Sequence, residues 1–321
     1  MQMMKIAVIN FEKPDGMART IIDGLCAMAK EGSVDFRLSS KFLYDLPLED
    51  AVLSRGDFIA FARSADRIFL IGNDKYGYDT TLAEEIDRFG KTVCVDGSEV
   101  GKNRRYDFTI QKGIIDGTYD GQGTVDRELL SKCHRYFRRE KPYSDGIIAL
   151  PFGIESRYMQ SYKEGTPKDI DFVCIFGQDE YPLLRRFVRE ALETYCKDNG
   201  FTCATERTKT PEEFYKLLAR AKVGVSVGGG GFDTMRFWEI LGNNCLMLTE
   251  TIDIYPRDSK RLKYERIIEF QNLFDFDAEL KKMGAFLRSG YADLDLKPEY
   301  ERIVGDHSTK ARVEEILRAS A

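Results

Sequence analysis

Short apolar runs alternate with longer amphipathic stretches along the chain. In the first half, runs rich in β-branched residues predict buried strands at residues 5–11, 66–73, 91–97 and 146–154. Between them, apolar residues at helical spacing predict helices at residues 18–32, 80–90 and 125–140. Because strands separated by helices form βαβ units, the first half predicts a parallel sheet covered by helices.

The same alternation begins again in the second half. Apolar runs predict strands at residues 169–177, 222–227 and 245–249. Amphipathic spacing predicts helices at residues 181–200, 210–221, 233–242 and 307–321. The clearest helix start combines Thr210 as N-cap, Pro211 at the first helical position and Glu213 at the third.

The repeated halves predict two Rossmann-like domains. The chain has 321 residues, whereas a single hydrophobic core rarely grows beyond about 250–300 residues. We expect an N-terminal domain over residues 1–150, a second domain over 151–300, and a C-terminal helix over 301–321 that packs back toward the first domain. The predicted fold class is α/β, with the two domains facing each other across a cleft.

Composition and charge exclude several classes of protein. The net charge is -5 and neither half has an excess of Lys and Arg, which argues against nucleic acid as a partner. The seven cysteines form no C-x-x-C pair, so we expect reduced thiols and a cytoplasmic location. No apolar stretch reaches the ~18 residues of a transmembrane segment, and the N-terminal run is predicted to be a strand. Two histidines are too few for a multi-histidine metal site.

A run of four glycines lies between a predicted strand and a predicted helix. This glycine loop consists of Gly228, Gly229, Gly230 and Gly231. Glycine lets a ligand approach the backbone amides closely, and the N-terminus of the following helix has a partial positive charge. Ligands of parallel α/β sheets collect at such strand ends. The loop therefore predicts a phosphate site, with a simple tight turn as the alternative reading.

Charged and hydroxyl side chains follow the glycine loop directly. Asp233 or Thr234 is predicted to cap the helix. Arg236 and Glu239 are three residues apart and share a helical face, so Arg236 is positioned for a phosphate and Glu239 for two ribose hydroxyls. The alternative for this pair is a solvated ion pair without a ligand.

Two loops of the first half carry the other candidate residues. Glu12, Asp15 and Gly16 follow the first predicted strand, and Asp74 and Tyr76 follow the strand at 66–73. Both loops are expected to face the cleft, where a carboxylate can act as a catalytic base or contact an acceptor. Asp15 is the first candidate for the base, with a simple turn aspartate as the alternative. Glu12, Gly16, Asp74 and Tyr76 are predicted to lie on the acceptor side.

The segment DTMRFWEILGNNCLMLTE, residues 233–250, resembles the donor site of GT-B glycosyltransferases, especially the spore-maturation-protein-like group of the glycosyltransferase group 1 type. IALPFGI at 148–154 resembles the domain crossover of that group, and HSTKARVEEIL at 307–317 resembles its C-terminal helix. The resemblance covers most of residues 92–321 and is weaker over residues 1–90. It implies the GT-B architecture for the predicted pair of domains.

The resemblance also implies roles for individual residues. Glu239 matches the glutamate that holds the donor ribose, and the glycine loop with the helix start matches the diphosphate site. Gly177 and Gln178 match the loop that faces the donor phosphates. Arg185 or Arg186 would add positive charge there, with a solvated helix face as the alternative. The sequence departs from the family at Gly231, where an E-x7-E pattern would place a glutamate.

These features predict a metal-independent glycosyltransferase that moves a sugar from a nucleotide-diphosphate donor to a hydroxyl of a glycan, lipid or protein. We expect no cofactor and no metal, with the nucleotide sugar as co-substrate. One alternative is a nucleotide-sugar epimerase on the same fold. The other is a catalytically inactive binding or scaffold protein, which Gly231 and the lack of an obvious base would explain.

Overall fold

The computed structural model describes residues 3–13, 15–41, 48–99, 125–143, 146–178, 182–256 and 258–321. These residues form two parallel sheets with helices between most successive strands. Each sheet has one apolar cluster of its own, and a third, larger cluster includes residues of both sheets. The predicted fold class, α/β with two Rossmann-like domains, is confirmed. No helix within the described ranges is both long and apolar enough to cross a membrane.

The N-terminal sheet has the strand order β2-β1-β3-β4-β5-β6 in the described part of the chain, and neighbouring strands are parallel. Its strands are β1 (Met4–Ile9), β2 (Val34–Leu38), β3 (Arg67–Gly72), β4 (Thr92–Asp96), β5 (Arg135–Arg138) and β6 (Ile147–Ala149). Its helices are α1 (Gly16–Lys30), α2 (Arg55–Ser64), α3 (Thr80–Ile86) and α4 (Arg127–Lys132).

One predicted element of this domain is wrong. The single helix expected over residues 125–140 is a short helix, α4, followed by strand β5. Arg138 at the end of β5 is fully buried because its guanidinium pairs with the buried carboxylate of Asp96 on the neighbouring strand. Arg135 at the start of β5 is exposed, whereas the long-range ion pair with Asp96 neutralises Arg138 inside the fold.

The C-terminal sheet has the order β11-β10-β9-β7-β8, again with parallel neighbours. Its strands are β7 (Ile170–Val173), β8 (Cys203–Ala204), β9 (Ala221–Ser226), β10 (Leu246–Glu250) and β11 (Ile267–Phe270). The helices of this half are α5 (Leu183–Asn199), α6 (Pro211–Arg220), α7 (Met235–Gly242), α8 (Leu273–Ser289), α9 (Lys297–His307) and α10 (Thr309–Ala319).

Local capping explains where several of these helices begin and end. The predicted start of α6 is confirmed, since Thr210 caps the helix by accepting a hydrogen bond from the Glu213 amide at 3.2 Å. Helix α5 ends at Gly200, whose φ of 70° favours glycine. Ser308 separates α9 from α10 and caps α10 through the Ala311 amide at 3.3 Å.

The last helix returns to the N-terminal domain and packs against α1. The Thr309 hydroxyl donates a 2.6 Å hydrogen bond to Asp23, a buried carboxylate of α1. Gly24 gives the two helices their close approach, because an added Cβ at this position would overlap the backbone carbonyl of Thr309. The C-terminal segment thus connects the end of the chain to the first domain.

Because of this close approach, alanine substitutions at two helical glycines are expected to change stability in opposite directions. Gly24→Ala is expected to lower the free energy of unfolding by about 1–3 kcal/mol, because the methyl group has no space beside α10. Gly305→Ala in α9 is the matched control, since an added Cβ there meets nothing within 4 Å. The control should raise stability by about 0.5–1 kcal/mol through helix propensity. Denaturant midpoints of both variants measure the difference, and equal shifts would contradict the close packing of α1 and α10.

Candidate functional site

Among the described strands, each sheet has one point at which the strand order reverses. In the N-terminal sheet it lies between β1 and β3, and in the C-terminal sheet between β7 and β9. Ligands of open α/β sheets bind in the crevice outside the carboxyl ends of strands at such a point. In this chain the loops that follow all four strands line one cavity between the domains.

The cavity has a volume of about 360 Å³ and brings together most of the predicted site residues. From the first domain it includes the predicted catalytic and acceptor-side residues Asp15, Gly16, Asp74 and Tyr76. From the second domain it includes the predicted donor-side residues Gln178, Arg185, Gly229, Gly230, Asp233 and Thr234. The described lining does not include Glu12, Gly177, Gly228, Gly231, Arg236 or Glu239.

Asp15 caps helix α1 at the edge of this cavity. One carboxylate oxygen accepts a hydrogen bond from the Ala18 amide at 2.8 Å, and the other accepts one from the Asn73 side chain at 2.6 Å. Burial raises the pKa of Asp15, whereas the Ala18 amide and the charge of Arg139 partly oppose the shift. A carboxylate with a raised pKa and a fixed position suits a general base.

Arg139 lies at the centre of the site, although sequence reasoning did not single it out. Its guanidinium is buried, stacks 4.0 Å from the centroid of the Phe152 ring, and donates hydrogen bonds to Glu99 and to Asp233. Because residues 125–140 were predicted to form one helix, no strand end was expected before Arg139. Its position directly after a buried strand is the signal that would have identified it.

Asp233 connects the two domains. It is fully buried and accepts hydrogen bonds from the Phe152 amide at 2.8 Å and the Trp238 indole at 2.7 Å, besides the contact with Arg139. Burial raises the pKa of Asp233, and the charge of Arg139 opposes that shift. Thr234 occupies the N-cap position of α7 without a side-chain capping bond. Asp233 therefore has structural partners on both sides of the cleft.

The amides of the glycine loop already have several partners within the chain. The Gly228 amide donates to Glu250 at 2.9 Å, and the Gly229 amide donates to the Gly231 carbonyl at 2.9 Å. The amide of Asp233, next in the chain, donates to Glu140 at 2.7 Å. Only part of the expected row of amides is therefore available to a ligand.

Arg185 reaches the same loop from the first turn of α5. Its guanidinium donates hydrogen bonds to the Val227 carbonyl at 3.1 Å and to the Gln178 carbonyl at 3.1 Å. It also lies beside Gly229, where an added Cβ would contact it. These contacts hold a positive charge at the edge of the cavity, next to the N-terminus of α7.

Arg236 and Glu239 form the predicted pair on one face of α7. Arg236 donates to Glu239 at 2.6 Å, and the other carboxylate oxygen of Glu239 is 3.3 Å from the Tyr215 hydroxyl. The guanidinium of Arg236 stacks 3.7 Å from the centroid of the Phe214 ring. Its Nε atom is buried and has no hydrogen-bond partner among the described residues. A buried donor of this kind indicates a missing acceptor.

Among the residues that the structure describes, no group of three or more His, Cys, Asp and Glu side chains could hold a metal ion. The absence of a metal from the reaction stays a prediction.

Comparison with known proteins identifies the fold. No protein-family model and no curated protein matches the sequence. Among solved structures, a glycosyltransferase from Rickettsia africae ESF-5 superposes with a TM-score of 0.56 at 8% identity, covering 100% of this chain and 98% of that one. A candidate UDP-N-acetylglucosamine 2-epimerase from Listeria monocytogenes gives a TM-score of 0.50 at 10% identity, with 99% and 96% covered.

These similarities show that the chain has the two-domain architecture of GT-B-type glycosyltransferases and 2-epimerases. At such low identity they concern the fold alone, which many different reactions share. The closer resemblance to the spore-maturation-protein-like group stays a prediction.

Proposed function

We propose that this chain is a glycosyltransferase that binds a nucleotide-diphosphate sugar in the interdomain cavity and transfers the sugar without a metal. One observation carries the proposal: both strand-order reversals open onto a single cavity, with Asp15 on one wall and Gly229, Gly230 and Arg185 on the other. The likeness of the fold to a glycosyltransferase supports it.

The second-domain wall would hold the diphosphate. Arg185 supplies a fixed positive charge, and the N-terminus of α7 supplies amides and the positive end of the helix dipole. These groups would stabilise the negative charge that develops on the departing diphosphate. In this proposal Arg236, in the first turn of α7, and its partner Glu239 would contact the nucleoside beyond the described lining of the cavity.

The first-domain wall would hold the acceptor. Asp15 would remove the proton of the attacking hydroxyl, and its bond from Asn73 fixes the carboxylate orientation. Asp74 and Tyr76 line the outer part of the same wall, where a sugar or another polar acceptor would enter. In this arrangement acceptor and donor meet across the cleft.

A nucleotide-sugar epimerase is the second candidate. It is favoured by the presence of three first-domain carboxylates, Asp15, Asp74 and Glu99, in the same cavity. An acid and a base on one substrate can move a proton off and onto a sugar carbon, which epimerisation requires. The two reactions differ in whether the nucleotide sugar alone is converted.

The proposal is tested first by binding. Purified protein is titrated with UDP, GDP and CDP by calorimetry, and binding of at least one at submillimolar concentration is expected. If none of the three nucleotides bound at millimolar concentration, the proposed function would be contradicted. The matching sugar donor is then incubated with the protein, first alone and then with a glycan, lipid or protein acceptor. Transfer of the sugar to an acceptor hydroxyl with release of the nucleoside diphosphate supports the transferase. An epimerised donor supports the second candidate, and binding without conversion supports an inactive binding protein.

Glu239 gives a prediction about the nucleoside. Glu239→Gln is expected to weaken nucleotide affinity by about 1–3 kcal/mol, or about 5- to 150-fold, because a charged hydrogen-bond partner is lost. Glu190→Gln on α5 is the matched control, since Glu190 also pairs with an arginine of its own helix, at 2.8 Å, but is exposed. Calorimetry on both variants decides the question. If Glu239→Gln bound nucleotide as tightly as Glu190→Gln does, Glu239 would not be part of the nucleotide site.

A further inference from the structure

Two carboxylates of the N-terminal domain lie against the glycine loop. An added Cβ on Gly231 would overlap the carboxylate of Glu140, and one on Gly230 would overlap that of Glu99. The side of the loop on which a phosphate would bind is therefore already in contact with negative charge. The lack of side chains at these glycines gives the carboxylates their space.

The two carboxylates differ in how firmly they are held. Glu140 is fully buried and accepts the Asp233 amide at 2.7 Å, so it is part of the interdomain structure. The side chain of Glu99 is 43% exposed and pairs with Arg139 at 3.1 Å. Glu99 can leave its position by rotating toward solvent, whereas Glu140 cannot.

Glu99 covers two of the groups that a phosphate would use. Its carboxylate lies on Gly230 and also neutralises the Nη1 atom of Arg139, a residue that lines the cavity. A phosphate oxygen at Gly230 would be within contact distance of Glu99, and like charges at that distance repel strongly inside a protein. The phosphate and the carboxylate therefore exclude each other.

We propose that Glu99 competes with the donor diphosphate for Gly230 and Arg139, and thereby sets the affinity for nucleotide. The inference rests on the proposed function of the cavity. When the diphosphate binds, Glu99 rotates outward. The Nη1 atom of Arg139 then donates its hydrogen bond to a phosphate oxygen instead of the carboxylate. Arg139 keeps its contacts with Asp233, so its buried charge is neutralised in both states. No covalent bond changes in this exchange.

The experiment compares Glu99→Gln with wild type, since glutamine keeps the shape of the side chain and removes its charge. Calorimetry measures the affinity for the nucleoside diphosphate that binds wild type best, for inorganic pyrophosphate, and for the uncharged nucleoside of the same base. Removing the competing charge is expected to tighten binding of the diphosphate and of pyrophosphate by about tenfold or more. Affinity for the nucleoside should not change.

Two further variants make the result specific. Glu128→Gln changes the net charge equally at an exposed site on α4, where Glu128 pairs with Lys132, and should leave all three affinities unchanged. Glu99→Ala should tighten binding in the same direction as Glu99→Gln. Far-ultraviolet circular dichroism and thermal melting check that each variant is folded.

The outcomes separate this inference from the proposed function. If wild type binds a diphosphate and Glu99→Gln binds it no more tightly, the competition is refuted while the proposed function stands. An equal gain for the uncharged nucleoside also refutes it, because the effect would then not depend on charge. If neither protein binds any diphosphate or pyrophosphate, both proposals fail.

Discussion

Asp15→Asn is expected to lower the rate of sugar transfer by about 100- to 10,000-fold, the usual contribution of a general base. Asparagine keeps the size of the side chain and remains a good N-cap for α1, so the fold should be preserved. The loss should therefore appear in the turnover rate, with the affinity for nucleotide diphosphate little changed. Steady-state kinetics with the donor identified by titration, together with calorimetry, measures both quantities.

Asp79→Asn is the matched control for this prediction. Asp79 caps α3 just as Asp15 caps α1, accepting a hydrogen bond from the Leu82 amide at 3.0 Å, and it is not part of the described cavity lining. The same chemical change at Asp79 should leave turnover unaltered. A similar loss in both variants would assign the effect to helix capping and remove Asp15 as the base.

The pH dependence of the rate gives an independent check on Asp15. A base acts in its deprotonated form, so turnover should rise with pH through the pKa of Asp15 and level off above it. Because burial raises that pKa, this acid limb should lie above the ordinary aspartate value of about 3.9. The limb should disappear from the residual activity of Asp15→Asn.

Asp233→Ala is expected to lower the free energy of unfolding by about 3–5 kcal/mol, the cost of removing one partner from a buried ion pair. The substitution would leave the buried guanidinium of Arg139 without its contact to the Asp233 carboxylate. It would also leave the Phe152 amide and the Trp238 indole without an acceptor. Each unsatisfied buried donor adds to the loss. Urea denaturation at neutral pH, followed by tryptophan fluorescence, measures the change.

Asp169→Ala provides the comparison. Asp169 accepts two hydrogen bonds from Arg220, at 2.8 Å and 2.6 Å, but both side chains are about half exposed. Exposed pairs contribute about 0–1 kcal/mol, so the control should change stability little. If Asp233→Ala were as mild as the control, the role of Asp233 as a structural link between the domains would be contradicted.

The sequence patterns placed most elements of the two sheets because those patterns are local. Apolar runs predicted β1, β3 and β4 in one domain and β7, β9 and β10 in the other. The Thr210 start of α6 depends on neighbouring residues alone and was predicted correctly. The patterns gave no prediction for β2, α2 and α8, although apolar and charged residues alternate regularly along the five residues of β2.

The candidate site was predicted where it follows a strand end, and missed where distant residues create it. Asp15 and the glycine loop were identified because each lies directly after a predicted strand. The roles of Arg138 and Arg139 were not predicted, since the carboxylates that neutralise them, Asp96 and Asp233, are 42 and 94 residues away. Glu99 and Glu140 were missed for the same reason, because their contacts with the loop cross the domain boundary.

The sequence by itself therefore determined the α/β class, most strands and the strand ends at which a ligand would bind, because burial of apolar runs and helix capping depend on nearby residues. Only the tertiary structure decided which side chains meet at those strand ends. Arg139 became a central residue, Asp233 a link between the domains, and Glu99 a neighbour of the glycine loop through contacts made only when both sheets face each other. Ion pairs between distant residues depend on where the folded chain places them, and no local pattern encodes that distance.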